Sequence, residues 1–286
     1  MTGIELLQSV ATPWLDRGAY LLTHAGSEAA FVVALSVTYL AIDAAAGRHL
    51  ALAVVASHWT NQALKGIVDA PRPFEVDPSL LRVPGAVETA PGASFPSGHA
   101  QVTATFWTLA AWHARRRGFT LAAVVVTVVV AWTRPYLGVH TVADVVAGVA
   151  IGAAVAAAAV AIVVLGVRLP GVAVVALGVG VPVAAYAVAA TPDAARLGGA
   201  FAGFATAPLA YRHVPRGGVA RRATTALVGL AAAGAVLAGV AAVEPNVVAL
   251  GLPEEGVAAF AAFGAAYAGW VVAPWGVDLA WGPGLR

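Results

Sequence analysis

The chain has no cysteine, a single lysine among its sixteen basic residues, and charge on only 10% of its 286 positions. Without cysteine there are no disulfides, zinc thiolate sites or thiol nucleophiles, so any chemistry rests on oxygen, imidazole and cationic groups. Scarce charge excludes an ordinary hydrated surface, because soluble domains carry about 25% charged residues. The net charge of +2 is too small and too dispersed for a nucleic-acid partner. What is abundant is apolar: 60% of the residues are hydrophobic and the mean hydropathy is +0.84. The bilayer is the natural solvent for such a chain, and several nearly uncharged runs are long enough to cross its core of about 30 Å as helices.

Apolar runs read against Gly, Pro and charge predict an all-α, polytopic transmembrane bundle. Its spans fall near 29–47, 49–68, 98–114, 119–133, 141–167, 171–190, 198–211, 221–243 and 256–273. Residues 4–24, interrupted by Asp16 and Arg17, read as an interfacial amphipathic helix, since the start lacks the pattern of a cleaved leader. Composition shifts near Pro170, after which Ala, Val and Gly dominate. The expected organisation is therefore an N-terminal interfacial segment (1–28), a catalytic core (29–170) and additional membrane helices without a readable motif (171–286).

If the spans alternate, one set of connections holds Arg48, Arg115, Arg116, Arg117, Arg168, Arg212, Arg216, Arg221 and Arg222. The other holds Lys65, Arg72 and Arg134 together with most of the acidic residues. Basic loops resist translocation, which places the first set in the cytoplasm and the second outside it. The expected location is a multi-pass protein of the cell membrane whose chemistry faces outward.

Three short elements carry that chemistry. In the first, Lys65 stands at a membrane edge and Arg72 is held between Pro71 and Pro73, so two cations point at one place. A snorkelling lysine and an ordinary loop arginine are the plain alternative. His58, Asn61 and Lys65 share a helix face and suggest a polar interior lining. The second element, Ser94-Phe95-Pro96-Ser97-Gly98-His99, sits where an apolar helix starts, and its free amides and positive dipole end favour an anion. Gly98 permits close backbone approach and His99 lies beside it; a capped helix start with an interfacial histidine is the alternative. The third runs from Thr133-Arg134 to His140 and Asp144. With a helix beginning near His140, Asp144 lies one turn on, able to hold one imidazole nitrogen and leave the other free to attack. A structural pairing of Asp144 with an arginine is the competing reading.

Taken together, Lys65-x6-Arg72-Pro73, Pro96-Ser97-Gly98-His99 and Thr133-Arg134-x5-His140-x3-Asp144 resemble the three-part signature of the type 2 phosphatidic acid phosphatase and vanadium haloperoxidase superfamily, in its membrane phosphatase branch. The third element usually opens with serine; Thr133 keeps the hydroxyl and adds a methyl group. The resemblance implies a six-helix-type phosphatase core. It also implies that Lys65, Arg72, Ser97, Gly98 and Arg134 bind phosphate, that His140 attacks to form a phosphohistidine, that Asp144 orients His140, and that His99 protonates the leaving group.

The expected reaction is metal-independent hydrolysis of a lipid phosphate or polyprenyl diphosphate, with no cofactor, because three cations supply the charge a metal would bring. Membrane lipids are the expected surroundings; the substrate and the oligomeric state are left open. A lipid phosphotransferase would use the same phosphohistidine with an alcohol as acceptor. A haloperoxidase would hold vanadate in the same pocket, but those relatives are soluble. A transporter would not need Pro-Ser-Gly-His at a helix start.

Overall fold

The computed structural model describes residues 3–167, 170–176, 180, 183, 192–249 and 253–281. Among these the chain is helical, with no strand. It divides into two compact units, Met1–Phe31 with Ala56–Gly166, and Val32–Val55 with Val167–Arg286.

The first unit opens with α1 (Gly3–Gln8) and α2 (Pro13–Thr23). The single amphipathic helix expected over 4–24 is two helices, because Thr12 caps α2 by accepting from the Leu15 amide at 3.2 Å and Pro13 occupies the first helical position. Next come α3 (Glu28–Val37), extended by a π-turn over Thr38–Ile42, and α4 (Ala44–Val68), within which the unit boundary falls. The expected span over 29–47 stops at Ile42, since the Asp43 carboxylate accepts from the Ala45 and Ala46 amides at 2.8 and 3.0 Å and starts α4 there. A short helix, α5 (Pro73–Val76), leads into a loop with two 3-10 turns, and then α6 (Gly98–Ala114), α7 (Arg117–Tyr136) and α8 (Val142–Val164) follow.

Helices α6 and α8 cross closely because α8 presents glycine where α6 presents backbone. A Cβ on Gly148 would lie 2.6 Å from the Ser97 carbonyl oxygen, and one on Gly152 would lie 2.2 Å from that of Gln101. Small residues one turn apart allow such approach in membrane bundles. The contact is sealed by buried polar groups. Gln101 donates to the carbonyl and hydroxyl oxygens of Ser57 at 2.6 and 3.2 Å, and Thr105 is within 3.1 Å of the Gly152 carbonyl oxygen. Asn61 donates to Pro96 O and to Gln101 Oε1, each at 3.0 Å, which ties α4 to the loop entering α6.

In the second unit, α9 (Pro192–Ala210), α10 (Val219–Ala249), α11 (Glu254–Tyr267) and α12 (Ala273–Trp281) pack through small residues. A Cβ on Gly199 would lie 2.0 Å from the Ala259 carbonyl oxygen. Tyr39 stacks on Trp270 at 3.9 Å, and Asp278 is held by Arg221 at 2.8 Å and by the Tyr211 hydroxyl.

Four described helical stretches are long and apolar enough to span a bilayer: Arg117–Tyr136, Val142–Val164, Val219–Pro245 and Gly256–Ala280. A fifth is formed if Pro13–Gly26 and Glu28–Ile42 act as one bent span. The expected span over 98–114 is the 17-residue helix α6, which buries Gln101, Thr103 and Thr105 among other helices. Of the expected span over 171–190, only 171–176, 180 and 183 are described and the remainder lies outside the described residues. The protein is a polytopic, all-helical membrane bundle.

Candidate active site

All eight residues singled out in the sequence lie in the first unit, at the end where α6 and α8 begin and α7 finishes. Ser97 is the N-cap of α6, fully buried, and its amide donates to the Asp144 carbonyl oxygen at 3.0 Å. That bond joins the starts of α6 and α8. The latter begins at Val142 and not at His140, because Thr141 and Asp144 form a capping box: the Thr141 amide donates to Asp144 Oδ2 at 2.7 Å and the Asp144 amide donates to Thr141 Oγ1 at 3.1 Å. His140 is thus outside the helix, in a turn made possible by Gly138. That residue has φ +80°, and a Cβ there would lie 2.0 Å from the Leu80 carbonyl oxygen.

The His140 ring is 2% exposed, with Nδ1 3.6 Å from Asp144 Oδ2 and Nε2 3.1 Å from Arg72 Nη1. A guanidinium only donates, so Nε2 accepts and the ring proton sits on Nδ1. Burial pushes the His140 pKa down to about 3, with Arg134, Arg72 and Lys65 acting in the same direction and Asp144 opposing them. The imidazole is therefore neutral at neutral pH, with a lone pair on Nε2.

Arg72 is 1% exposed and committed to the protein on all three nitrogens. Nε donates to Gly92 O and Nη1 to Val139 O, both at 2.8 Å, while Nη2 donates to Pro91 O and Ala93 O at 2.8 and 3.2 Å. Burial lowers its pKa to about 10, which leaves it cationic at neutral pH. Lys65 Nζ donates to the same Pro91 carbonyl oxygen at 2.9 Å, so both cations of the first element converge on one loop.

Arg134 is fully buried. Its Nη1 donates to Thr23 Oγ1 at 2.6 Å and to Thr89 Oγ1 at 3.0 Å, and its Nη2 donates to Thr89 O at 3.0 Å. Its Nε has no hydrogen-bond partner, nor does the buried Nε2 of His99. His99 is close enough to Arg134 and Lys65 to interact with their charges. Two unsatisfied donors or acceptors beside a cationic cluster are what a site for an oxyanion presents. Gly98 lies against Asn61, whose Oδ1 would be 3.1 Å from a Cβ at that position. The Thr133 hydroxyl is buried and donates to the Val130 carbonyl oxygen at 2.7 Å. Of the expected polar lining, Asn61 joins the Gln101 network, Lys65 reaches the loop, and His58 lies 3.7 Å from Glu28.

Residues 46–167 match the model of the PAP2 superfamily. That stretch, less than half of the chain, resembles the PAP2 superfamily. No curated protein matches the chain. Among solved structures, it is similar to LpxE of Aquifex aeolicus, with a TM-score of 0.50 and 22% identity over 55% of this chain and 92% of that one. A second similar structure is the transmembrane PAP2 type phosphatidylglycerolphosphate phosphatase of Bacillus subtilis, with a TM-score of 0.46 and 21% identity over 58% of this chain and 85% of that one. At this identity the first likeness shows a shared fold. The PAP2 match covers all eight singled-out residues and stops short of the N-terminal helices.

Sequence reasoning overlooked Ser94. It is 1% exposed, donates to Asp144 Oδ2 at 2.7 Å and lies 3.5 Å from His140 Nδ1. The signal was present, since Ser94 opens the Ser94-Phe95-Pro96-Ser97-Gly98-His99 stretch, but a serine five residues ahead of a histidine has no chemical reading until the fold brings it to a carboxylate 50 positions on. Thr23 and Thr89, which hold Arg134, carried no signal in a linear reading.

Proposed function

We propose that this chain is an integral membrane phosphatase that hydrolyses a lipid phosphate or a polyprenyl diphosphate through a phosphohistidine on His140. The observation that carries the reading is the state of the His140 ring: neutral, with Nδ1 turned to Asp144 and Ser94, and Nε2 presented beside Arg72. In the reaction, phosphate displaces His140 Nε2 from Arg72 Nη1 and takes that hydrogen bond. Arg134, through Nε, and Lys65, from the last turn of α4, hold further oxygens. Nε2 attacks phosphorus in line, the phosphorus–oxygen bond to the leaving group breaks, and His99 gives its proton to the departing oxygen. An incoming phosphate anion beside His99 favours its protonated form. Water then attacks the phosphohistidine, passes its proton to His99 and releases inorganic phosphate, with Asp144 and Ser94 supporting the ring throughout. No step calls for a metal, since the guanidinium and ammonium groups meet the developing charge.

The site lies where α6 and α8 begin and α7 ends, and the ends of membrane helices meet the headgroup region, which favours a lipid-borne substrate. The experiment that tests the reading is phosphate release in detergent from a panel of polyprenyl diphosphate, phosphatidylglycerol phosphate, phosphatidic acid and a soluble phosphoester, with His140→Ala as the blank. Phosphate released without added alcohol identifies a hydrolase. Phosphate transferred only to an added alcohol identifies a transferase, and equal release by the blank overturns the assignment.

A further inference from the structure

The PAP2 match begins at residue 46, yet α2, which ends at Thr23, also reaches the site. Thr23 is fully buried, and its hydroxyl accepts from Arg134 Nη1 at 2.6 Å. The Thr89 hydroxyl, which donates to Ala86 O at 2.7 Å, accepts from the same nitrogen. With Thr89 O on Nη2, three of the five guanidinium hydrogens are taken, all on Nη1 and Nη2. The Nε hydrogen and one on Nη2 remain, a pair able to grip two oxygens of one phosphate. Thr23 thus decides which edge of Arg134 faces the reacting group. Three residues later the chain meets the proposed acid. Gly26 is buried, and a Cβ there would lie 3.1 Å from His99 Cδ2, 3.1 Å from Thr103 Oγ1 and 2.7 Å from Val130 Cγ1. The turn has no space for a side chain because Val130 occupies it most closely, with the His99 ring and Thr103 beside it.

The N-terminal helices are fastened to the site's outer loop. Asp16 pairs with Arg82 at 2.9 Å and accepts from the Tyr136 hydroxyl at 2.6 Å, while Gln8 Nε2 donates to Leu80 O and Tyr136 O, both at 2.8 Å. These bonds bracket the turn at 23–26 against the end of α7, which carries Arg134.

We propose that the turn Thr23–Gly26 is a working part of the active site. Thr23 is a positioning residue that aims Arg134 at phosphate, and Gly26 is a close-packed wall that fixes the His99 ring toward the leaving oxygen. The inference rests on the phosphatase reading above, and the test separates the two. Thr23→Val keeps shape and removes the acceptor; Thr23→Ser keeps the acceptor. With phosphate release as the assay and inorganic phosphate and orthovanadate as inhibitors, Thr23→Val is expected to raise KM and weaken both inhibitors by about tenfold, with kcat changed less. Thr23→Ser is expected to restore these values to within about threefold. A merely structural role lowers the yield of folded protein and leaves KM and inhibition in the surviving fraction unchanged.

Gly26→Ala is expected to slow an alkyl phosphate more than p-nitrophenyl phosphate, whose phenolate departs with little need of a proton. If Arg134→Ala cripples the enzyme while Thr23→Val keeps wild-type KM and inhibition, and Gly26→Ala slows both substrates alike, this inference fails and the phosphatase reading stands. If the wild-type protein releases no phosphate from any compound of the panel, both fail.

Discussion

Arg72 donates from Nη1 to Nε2 of His140 at 3.1 Å, so Nε2 accepts and the ring proton sits on Nδ1. The other nitrogen faces Asp144, one helical turn away in sequence. Replacing His140 by alanine is expected to reduce phosphate release by on the order of 10⁴-fold or more, as loss of a nucleophile does elsewhere, with no loss of folded protein. Alkaline quenching with radiolabelled substrate should trap phosphate on the His140 peptide. Label recovered on the His99 peptide would reverse the two roles.

Ser94 donates to the carboxylate oxygen that faces His140, Asp144 Oδ2, at 2.7 Å. Ser94→Ala leaves Asp144 Oδ2 with its bond from the Thr141 amide and removes the hydroxyl that lies beside His140 Nδ1. One hydrogen bond to a charged group contributes about 1.5–3 kcal/mol, so kcat should fall by roughly 10- to 100-fold with KM little altered. Unchanged kcat would remove Ser94 from the machinery.

How much of this was legible in sequence depends on whether a residue acts through neighbours in the chain or across the fold. The helical spans over 98–114, 119–133 and 141–167 agree with α6, α7 and α8 to within a few residues, because apolar runs bounded by Pro, Gly and arginine leave little choice. The breaks at Thr12–Pro13 and Asp43 were written in capping residues that an apolar count overlooks. Within the site, the pairing of His140 with Asp144 follows from spacing. The partners of Arg134 do not, since Thr23 lies 111 positions away and Thr89 lies 45. Nor does spacing reveal that Arg72 spends its donors on four backbone carbonyls and one imidazole.

The buried state of His140 has a thermodynamic signature. Burial depresses its pKa from the ordinary 6.5 to about 3, so between those values the unfolded chain binds a proton that the folded chain does not. The stability from the neutral ring is fully present above pH 6.5 and is lost as pH falls toward 3, at up to about 1.4 kcal/mol per pH unit. In denaturant titrations in detergent at pH 7, 6 and 5, His140→Gln should gain stability relative to wild type as pH is lowered. Parallel curves would mean that the ring titrates normally.

The cations of the site bear on metal dependence. If Arg72, Arg134 and Lys65 carry the charge that phosphoryl transfer requires, then EDTA should leave the rate unchanged within error, and Arg134→Ala should not be rescued by added magnesium. Activity lost in EDTA and restored by magnesium would refute the metal-independent mechanism.

Sidedness follows from the path of the chain through α6 and α7. The two helices run between the site end, with His99 and Arg134, and a tight connection that holds Arg115, in the left-handed conformation at φ 51°, and Arg116. The basic run 115–117 is therefore one helix length from His99 and Arg134. Arginine-rich connections are retained in the cytoplasm, so we propose that the site faces outward, toward recycling of a lipid carrier or dephosphorylation of outer-leaflet lipids. The lack of cysteine allows a direct measurement. Val87 is 38% exposed in the loop over the site, and Arg116 is exposed at the opposite end. On intact cells an impermeant thiol reagent should label Val87→Cys and spare Arg116→Cys until the membrane is opened. The reverse pattern would place the site in the cytoplasm and assign its substrates to the inner leaflet.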